Sequence, residues 1–312
     1  MTLERNTYVT SSYIAAPPRD VTTYLANGMN LNEYTLFSRM EEQIDDTTWR
    51  GTASGYQAGL YYHMVRRDLG AIQIAEWHCG AELGVYHHVY PMLTIAPSYL
   101  GSAEAGTYFQ WISFVDPART TAMITQGLPS VHRSEARSMK AQLERRSGHR
   151  RAVHGQLALA AHTIYVDAPA DEVARYLADP ANLTEWSYLI RRTADGLVDE
   201  YDHPIDVQLR HRDLGAYQVI EHDTHHLEHA GAVDACVRAP LLVIPAAYAF
   251  GQPTARGVIL HRLSAWPTTG ERRLGKASVD DYDTELINTK RFVEARIDNR
   301  SAYARGCSYL AQ

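Results

Sequence analysis

One stretch of sequence occurs twice in this chain, and this repetition constrains the fold more than any other feature. From Ala16 to Thr35, nine of twenty residues are identical to those found 152 positions later. A second motif, "RDLGAIQIAE" from Arg67, returns as "RDLGAYQVIE" from Arg212, with seven of ten residues identical. Because the motifs keep their order, the sequence predicts a tandem duplication of one domain and not a short-period solenoid.

The length of the chain agrees with two domains. Its 312 residues are enough for two cores of about 150 residues each. We expect a first domain at residues 1–150 and a second at 157–312, joined by a polar linker at about 147–156. Duplicated domains of a dimer-forming fold commonly keep the ancestral contact. The prediction is therefore a pseudo-symmetric packing, in a pseudo-dimeric monomer or in a homodimer.

Composition and charge exclude several classes of protein. Hydrophobic residues make up 45%, charged residues 21%, and the formal net charge is −6, as in a soluble globular protein. We expect no nucleic-acid partner and no membrane partner, since no basic face and no apolar run of about 18 residues is present. The first residues lack the apolar core of a signal peptide. Cys79, Cys236 and Cys307 are too widely spaced for a disulfide framework, so a cytoplasmic location is predicted.

Each copy shows the same predicted order of elements: a strand, two short helices, a run of antiparallel strands and a long C-terminal helix. In the second copy this last helix is predicted from about Val279 to Ile297, with Ser278 as its N-cap. Six or seven antiparallel strands curl because strands twist. A straight amphipathic helix cannot fill all the space on the concave side, so a cavity is expected between helix and sheet.

Two connections between strands also allow predictions. The repeated "RDLG" has the composition of a tight hairpin turn, which places Arg67 and Arg212 in solvated positions. The Gly- and Thr-rich stretch at 43–59 of the first copy is predicted to be a long hairpin connection, where the second copy has lost seven residues.

The segment "TIYVDAPADEVARYLADPANLTEWS", together with the long terminal helix, resembles the START-like, or SRPBCC, superfamily. Two such domains in one chain are similar in layout to bacterial didomain polyketide aromatase/cyclases. The resemblance implies an α+β fold of two tandem helix-grip domains, each with a curved antiparallel sheet gripping a long C-terminal helix and a hydrophobic pocket. It also implies a role in polyketide cyclisation and dehydration. The second helix departs from the aromatase/cyclase pattern, since "EYTLFSRM" and "EWSYLIRR" replace an aromatic- and proline-rich segment.

The first copy carries the candidate catalytic residues in "EWHCGAELGVYHHVY". Glu76 and His78 share one face of a predicted strand, and His87 or His88 on the hairpin partner can approach them across the ladder. A carboxylate beside an imidazole makes a general acid or base near neutral pH. Alternatively, these histidines are surface residues.

The second copy carries a different histidine pattern, which we interpret as a wide hairpin loop, or as one face of a helix. We expect no metal or other cofactor, because no His/Cys set has a closed four-ligand spacing. If a metal is present, the candidate ligands are the hairpin histidines of the first copy or those of this second segment: His222, His225, His226 and His229.

Two functional classes remain open from the sequence. One is a biosynthetic cyclase or dehydratase acting on an aromatic or polyketide-like small molecule, and the other is a binding protein for a hydrophobic ligand, with no turnover. A His-dependent metalloenzyme is a further alternative. The residues predicted to contact the substrate in either class are Tyr34, Tyr62, Gln73, Trp77, Trp186, Gln218 and Glu221.

Overall fold

The first repeat forms a seven-stranded antiparallel sheet with strand order β1-β7-β6-β5-β4-β3-β2. The computed structural model describes residues 7–53, 59–86, 88–114, 122–148, 156–187, 189–199, 202–227, 236–267 and 276–297. The elements of the first domain are β1 (Thr7–Ile14), α1 (Pro18–Leu25), α2 (Leu31–Tyr34), β2 (Ser38–Asp45), β3 (Thr48–Ala53), β4 (Leu60–Asp68), β5 (Ile72–Gly80), β6 (His88–Ile95), β7 (Thr107–Phe114) and α3 (Ala122–Arg146).

The second repeat forms a sheet with order β8-β15-β14-β12-β11-β10-β9, and the short strand β13 also pairs with β12. Its elements are β8 (Leu157–Val166), α4 (Ala170–Ala178), α5 (Leu183–Trp186), β9 (Arg191–Arg192), β10 (Leu197–Val198), β11 (Pro204–Asp213), β12 (Gln218–His226), β13 (Cys236–Arg238), β14 (Leu241–Pro245), α6 (Ala246–Ala249), β15 (Val258–Pro267) and α7 (Lys276–Ile297).

The predicted fold class is confirmed. Each domain is an antiparallel sheet followed by a long helix, in an α+β arrangement. In the first domain Ala136, Met139 and Leu143 of α3 pack into one buried cluster with side chains from the sheet. In the second, Leu286 and Val293 of α7 do the same. We call this side of each sheet the helix-facing side, and the opposite side the far face.

Side-chain bonds repeat together with the backbone. Lys140 on α3 donates a 2.6 Å hydrogen bond to the carbonyl of Tyr13, and Lys290 on α7 donates one of 2.6 Å to the carbonyl of Tyr165. Each lysine also pairs with the glutamate four residues further along its helix. Each terminal helix is therefore hydrogen-bonded to the first strand of its own domain by a lysine at the equivalent position.

The "RDLG" motif forms a tight turn in both copies, as predicted. Gly70 and Gly215 have φ of +82° and +79°, a conformation that favours glycine. The carboxylates of Asp68 and Asp213 each accept a 2.7 Å hydrogen bond from the backbone N–H of that glycine. An Asp-x-Gly turn of this kind explains the repetition on structural grounds.

Two sequence predictions about elements were wrong. The stretch at 43–59 is not only a connection, because it holds the end of β2 and the whole of β3. The end of β2, at the edge of the sheet, is polar and exposed. The glycine of β3, Gly51, packs against the backbone of β2, where a Cβ atom would lie 2.2 Å from the carbonyl oxygen of Arg39. The terminal helix of the second domain begins at Lys276, before the expected N-cap Ser278. No helix within the described ranges is long and apolar enough to cross a membrane.

Candidate functional site

Glu76 and His78 lie on the far face of the first sheet, not on the side that packs against α3. Glu76 is completely buried and is ion-paired with Arg67 of the neighbouring strand. His78 Nε2 is 3.8 Å from the second carboxylate oxygen of Glu76. Arg67 is therefore not a solvated turn residue as predicted, because it neutralises a buried carboxylate.

Of the two histidines expected to approach across the hairpin, His88 lies on the other side of the sheet. His88 is opposite Cys79 in the β5–β6 register, and its ring stacks on Tyr90, with centroids 6.3 Å apart. His78 faces Val89 in that register, so one residue of offset places His88 on the helix-facing side. His87 lies outside the described residues.

The neighbours of His78 come instead from β4 and from the loop after β5. The ring of His63 is 6.3 Å from that of His78 and stacks on Tyr86 at 5.6 Å. Burial lowers the pKa of His63, and the nearby His78 lowers it further. His63 was not among the predicted site residues, although β4 is the other direct neighbour of β5.

The histidines of the second copy lie in a strand, not in the predicted loop or helix. His222, His225 and His226 belong to β12. His222 packs edge-on against Trp186 at 5.5 Å, and burial lowers its pKa to about 3. His229 lies outside the described residues. Within the described part of the chain, no group of three or more His, Cys, Asp or Glu side chains is placed to hold a metal ion.

Glu221, which aligns with Glu76, also lies in an ion-pair network. Its Oε2 is 3.0 Å from Arg210 Nε and 3.4 Å from Arg212 Nε. Asp223, two residues along β12, is paired with Arg210 and is 3.5 Å from Arg238 Nε. Buried carboxylates are thus compensated by arginines on the far faces of both sheets.

Four of the residues predicted to contact substrate are buried on the helix-facing side. Tyr34, Tyr62 and Trp77 belong to the buried cluster of the first domain, and Trp186 to that of the second. Tyr62 donates a 3.1 Å hydrogen bond to Ser38. Burial raises the pKa of Tyr34 well above its usual value.

The two glutamines have different surroundings. Gln218 donates a 2.6 Å hydrogen bond to Asp171 and is 2.6 Å from His211 Nε2. It lies in an open cleft of about 590 Å³, lined by Asp171, Arg175, Ala178, Asp179, His211, Asp213 and Gln218. The Oε1 atom of Gln73 is buried and has no hydrogen-bond partner within the described ranges of the chain.

A polar group that was not predicted from the sequence lies inside the first domain, where α3 packs against the helix-facing side of the sheet. His132 Nδ1 is 2.6 Å from Ser113 Oγ of β7, and His132 Nε2 is 4.0 Å from Glu135 Oε2. The indole of Trp111 stacks on the imidazole at 4.4 Å, and Tyr90 meets it edge-on at 5.7 Å. These residues place a serine, an imidazole and a carboxyl in one aromatic environment.

The electrostatics of this group favour uncharged forms. Burial raises the pKa of Glu135 to about 7. Hydrogen bonds from the backbone N–H groups of Leu36 and Phe37 have the opposite, smaller effect and lower this pKa. Burial lowers the pKa of His132 to about 4. At neutral pH the imidazole is therefore neutral and the carboxyl is divided between its protonated and ionised forms, which suits proton transfer in either direction.

The second domain has a carboxylate at the equivalent place but with a different partner. "SEARSMKAQLERR" of α3 aligns with "TELINTKRFVEAR" of α7, which matches Glu135 to Glu285. Glu285 is ion-paired with the buried Arg262 and accepts a 2.7 Å hydrogen bond from Ser187. In the same alignment, His132 corresponds to Tyr282.

One signal in the sequence identifies this group. His132, Glu135 and Ala136 are three and four residues apart, followed by Met139 and Leu143, so all five share one face of the helix. Two ionisable residues within an apolar stripe are unusual, since such residues are rarely buried unless they have a role. His132 and Glu135 were not among the predicted site residues.

With the geometry established, comparisons with known proteins place the chain in a family. One family model matches the chain twice, at residues 3–152 and 159–302, and so covers nearly all of it. The chain belongs to this family. It is described as a domain of unknown function, DUF8713, and the DUF8713 match falls once on each repeat. No curated protein matches the sequence.

Solved structures similar to this DUF8713 protein include proteins of biosynthetic loci and a START superfamily protein. DynU16, from the dynemicin biosynthetic locus, is 13% identical, with 92% of this chain and 99% of that chain covered and a TM-score of 0.30. StfQ, a di-domain ARO/CYC of the steffimycin biosynthetic pathway, is 12% identical, with 93% and 99% covered and a TM-score of 0.28. A START superfamily protein from Mycobacterium smegmatis is 8% identical, with 45% and 98% covered and a TM-score of 0.32.

Proposed function

We propose that the first domain is an acid/base enzyme that holds an aromatic or polyketide-like small molecule between the sheet and α3 and promotes cyclisation or dehydration. The observation that carries the proposal is Glu135, a buried carboxyl with a pKa of about 7 whose Oε2 is 4.0 Å from a neutral imidazole. General acid/base catalysis is most efficient when the pKa of the group is near the working pH.

In the proposed reaction, ionised Glu135 takes a proton from a carbon next to a substrate carbonyl. The C–H bond breaks, an O–H bond forms on the carboxyl, and the electron pair is delocalised onto the enolate oxygen. The enolate carbon then attacks a second carbonyl of the same molecule, and the resulting alkoxide takes back a proton. Loss of water from that alcohol completes a dehydration. The dehydration breaks the C–O bond and a second C–H bond and forms a C=C bond, with Glu135 taking the carbon-bound proton and giving one to the leaving hydroxyl. The sequence contains no oxidation or reduction and needs no cofactor.

His132 is proposed to hydrogen-bond to the enolate oxygen in its neutral form. The 2.6 Å contact with Ser113 fixes the orientation of the ring. If the Ser113 hydroxyl donates to Nδ1, the proton of the imidazole is on Nε2, the nitrogen that is nearer to Glu135. Ser113 is then a positioning residue that acts through His132.

The second domain is proposed to have no acid/base role. Its Glu285 is compensated by Arg262, and both side chains are almost fully buried. An adjacent cation favours the ionised carboxylate, which makes it a poor base near neutral pH. The far-face residues Glu76 and His78 are the competing site in the first domain, and the test must therefore separate them from Glu135.

Deuterium exchange tests the proposal without the native substrate. The probe is 2-tetralone in D₂O, an aromatic ketone with exchangeable carbon-bound protons next to its carbonyl, and incorporation is followed by NMR. We expect exchange above the buffer rate with the wild-type chain, a loss of roughly 10²-fold or more in Glu135→Gln, and little change in His78→Ala. Full activity in Glu135→Gln, or a severe loss in His78→Ala alone, would contradict the assignment.

A further inference from the structure

Several buried polar groups of the first domain have no hydrogen-bond partner among the residues that the structure describes. They are the indole Nε1 atoms of Trp49, Trp77 and Trp111 and the hydroxyl of Tyr34. All four residues are at least nine-tenths buried and belong to the same cluster, which packs against α3. They therefore lie on the helix-facing side, where the substrate is proposed to bind.

An indole N–H group without a partner indicates which kind of ligand atom it can bind. Its N–H group is a donor and never an acceptor, so its partner must supply a lone pair. Buried donors are almost always satisfied in folded proteins, and a group without a partner calls for an explanation. Three such indoles in one cluster indicate a ligand that brings several acceptor atoms.

The Trp49 indole is held firmly in place. Its ring meets that of Trp77 at 5.3 Å with an interplanar angle of 65°. On its other side is the backbone of Gly28, where even a Cβ atom would come within 2.4 Å of the indole. The two indoles of Trp49 and Trp77 therefore form a rigid pair, as expected of groups that recognise a ligand.

The second domain does not repeat this arrangement. Trp77 aligns with His222, since each lies seven residues after the glycine of its "RDLG" turn. Trp111 aligns with Arg262, since each lies five residues after the glycine that directly precedes its strand. Arg262 is bound to Glu285. The row of indole donors is a feature of the first domain.

We propose that the N–H groups of Trp49 and Trp77 select the ligand by acceptor oxygens, such as ketone, quinone or ether oxygens, at a distance from the reacting carbon. The proposal rests on the proposed function only for the position of the site. Trp77 is on β5 and Trp111 is on β7, two strands away, which corresponds to roughly 10 Å across the sheet. A ligand that contacts both Trp77 and the His132–Glu135 pair is therefore an extended molecule with oxygens along its length.

A pair of rigid probes of the same shape tests the proposal. 9-Fluorenone carries one carbonyl oxygen and fluorene carries none, and neither donates a conventional hydrogen bond. With the wild-type chain we expect calorimetry to show about tenfold tighter binding of fluorenone, the effect of one hydrogen bond. The double variant Trp49→Phe/Trp77→Phe keeps a smaller aromatic ring at each position and removes both N–H groups, and its preference is expected to fall to about one.

Fluorene binding serves as the internal control for folding and for the smaller rings, since the preference is the ratio of the two affinities measured on the same variant. Ser264→Ala is the control variant, because it removes a buried unpartnered hydroxyl of the second domain and should keep the full preference. Equal affinity of the wild type for both probes would overturn the proposal, as would a preference that survives in the double variant. Loss of exchange activity in Glu135→Gln with an unchanged fluorenone preference separates this result from the proposed function.

Discussion

Glu135 and Glu285 occupy equivalent positions on the terminal helices of the two domains, but only Glu285 is ion-paired with an arginine among the described residues. The duplication thus gives an internal comparison of one carboxyl in two environments. In the second domain Arg262 neutralises the charge, and in the first domain burial pushes the pKa to about 7. The difference predicts different roles for the two residues.

The first prediction concerns stability. Glu285→Gln leaves the Arg262 guanidinium buried without its counter-charge, which is expected to cost about 3–5 kcal/mol of unfolding free energy. Glu135→Gln removes no ion pair with a lysine or arginine and should cost less than about 1 kcal/mol near pH 6. Urea unfolding of the two variants beside wild type measures both values. Equal losses would show that the two carboxyls are structurally alike.

The second prediction concerns the pH dependence of stability. The pKa of Glu135 is about 7 in the folded chain and about 4.3 when unfolded. The folded state therefore holds the proton more tightly, and this contribution to stability is complete below about pH 4 and is lost as pH rises to 7. Relative to wild type, Glu135→Gln should gain up to about 3 kcal/mol between pH 5 and 8. A difference that stays constant with pH would contradict the raised pKa.

The third prediction concerns acid unfolding of the second domain. Burial, and to a smaller extent the nearby Arg262, lowers the pKa of His222 to about 3. Between about pH 6.5 and 3 the imidazole is therefore protonated in the unfolded chain but neutral in the folded chain. Stability should fall as pH drops from 6.5 towards 3. His222→Phe keeps a ring beside Trp186 and should lose less stability on acidification than wild type. Unfolding free energies at pH 7 and 4.5 give the comparison, and parallel losses would refute it.

The fourth prediction concerns the support of the indole pair. In Gly28→Ala the new methyl would lie 2.4 to 2.7 Å from atoms of the Trp49 ring, so the indole must move, at a cost of about 1–3 kcal/mol. Near-UV circular dichroism should show the altered tryptophan environment. Gly127→Ala on α3 is the matched control, because a methyl there meets nothing within 4 Å and should be neutral or stabilising. An unchanged spectrum in Gly28→Ala would argue against a rigid pair.

The repeats made most of the fold predictable. The "RDLG" turns, the two helices after the first strand and the terminal helix follow from local chemistry, such as glycine at positive φ and apolar residues three or four apart. The strands at 43–59 were not predicted, because the polar end of the edge strand β2 and the Thr- and Gly-containing strand β3 beside it have the composition of a loop.

The candidate site could be predicted only in part. Alternation along β5 correctly grouped Glu76 with His78, but a period of two does not say which face of a sheet meets the helix. Hence Trp77 was placed among the substrate contacts and Glu76 in the catalytic group, although they are neighbours on opposite faces. His132 and Glu135 could have been identified from the sequence only by asking why two ionisable residues lie within the apolar stripe of the terminal helix.

The central claim is that Glu135 is a buried carboxyl that exchanges its proton near neutral pH. NMR titration of chain labelled with ¹³C at the glutamate carboxyls measures this directly, and the signal that disappears in Glu135→Gln identifies the residue. We expect this signal to titrate with a pKa of about 7. A midpoint at the ordinary glutamate value of about 4.3 would contradict it.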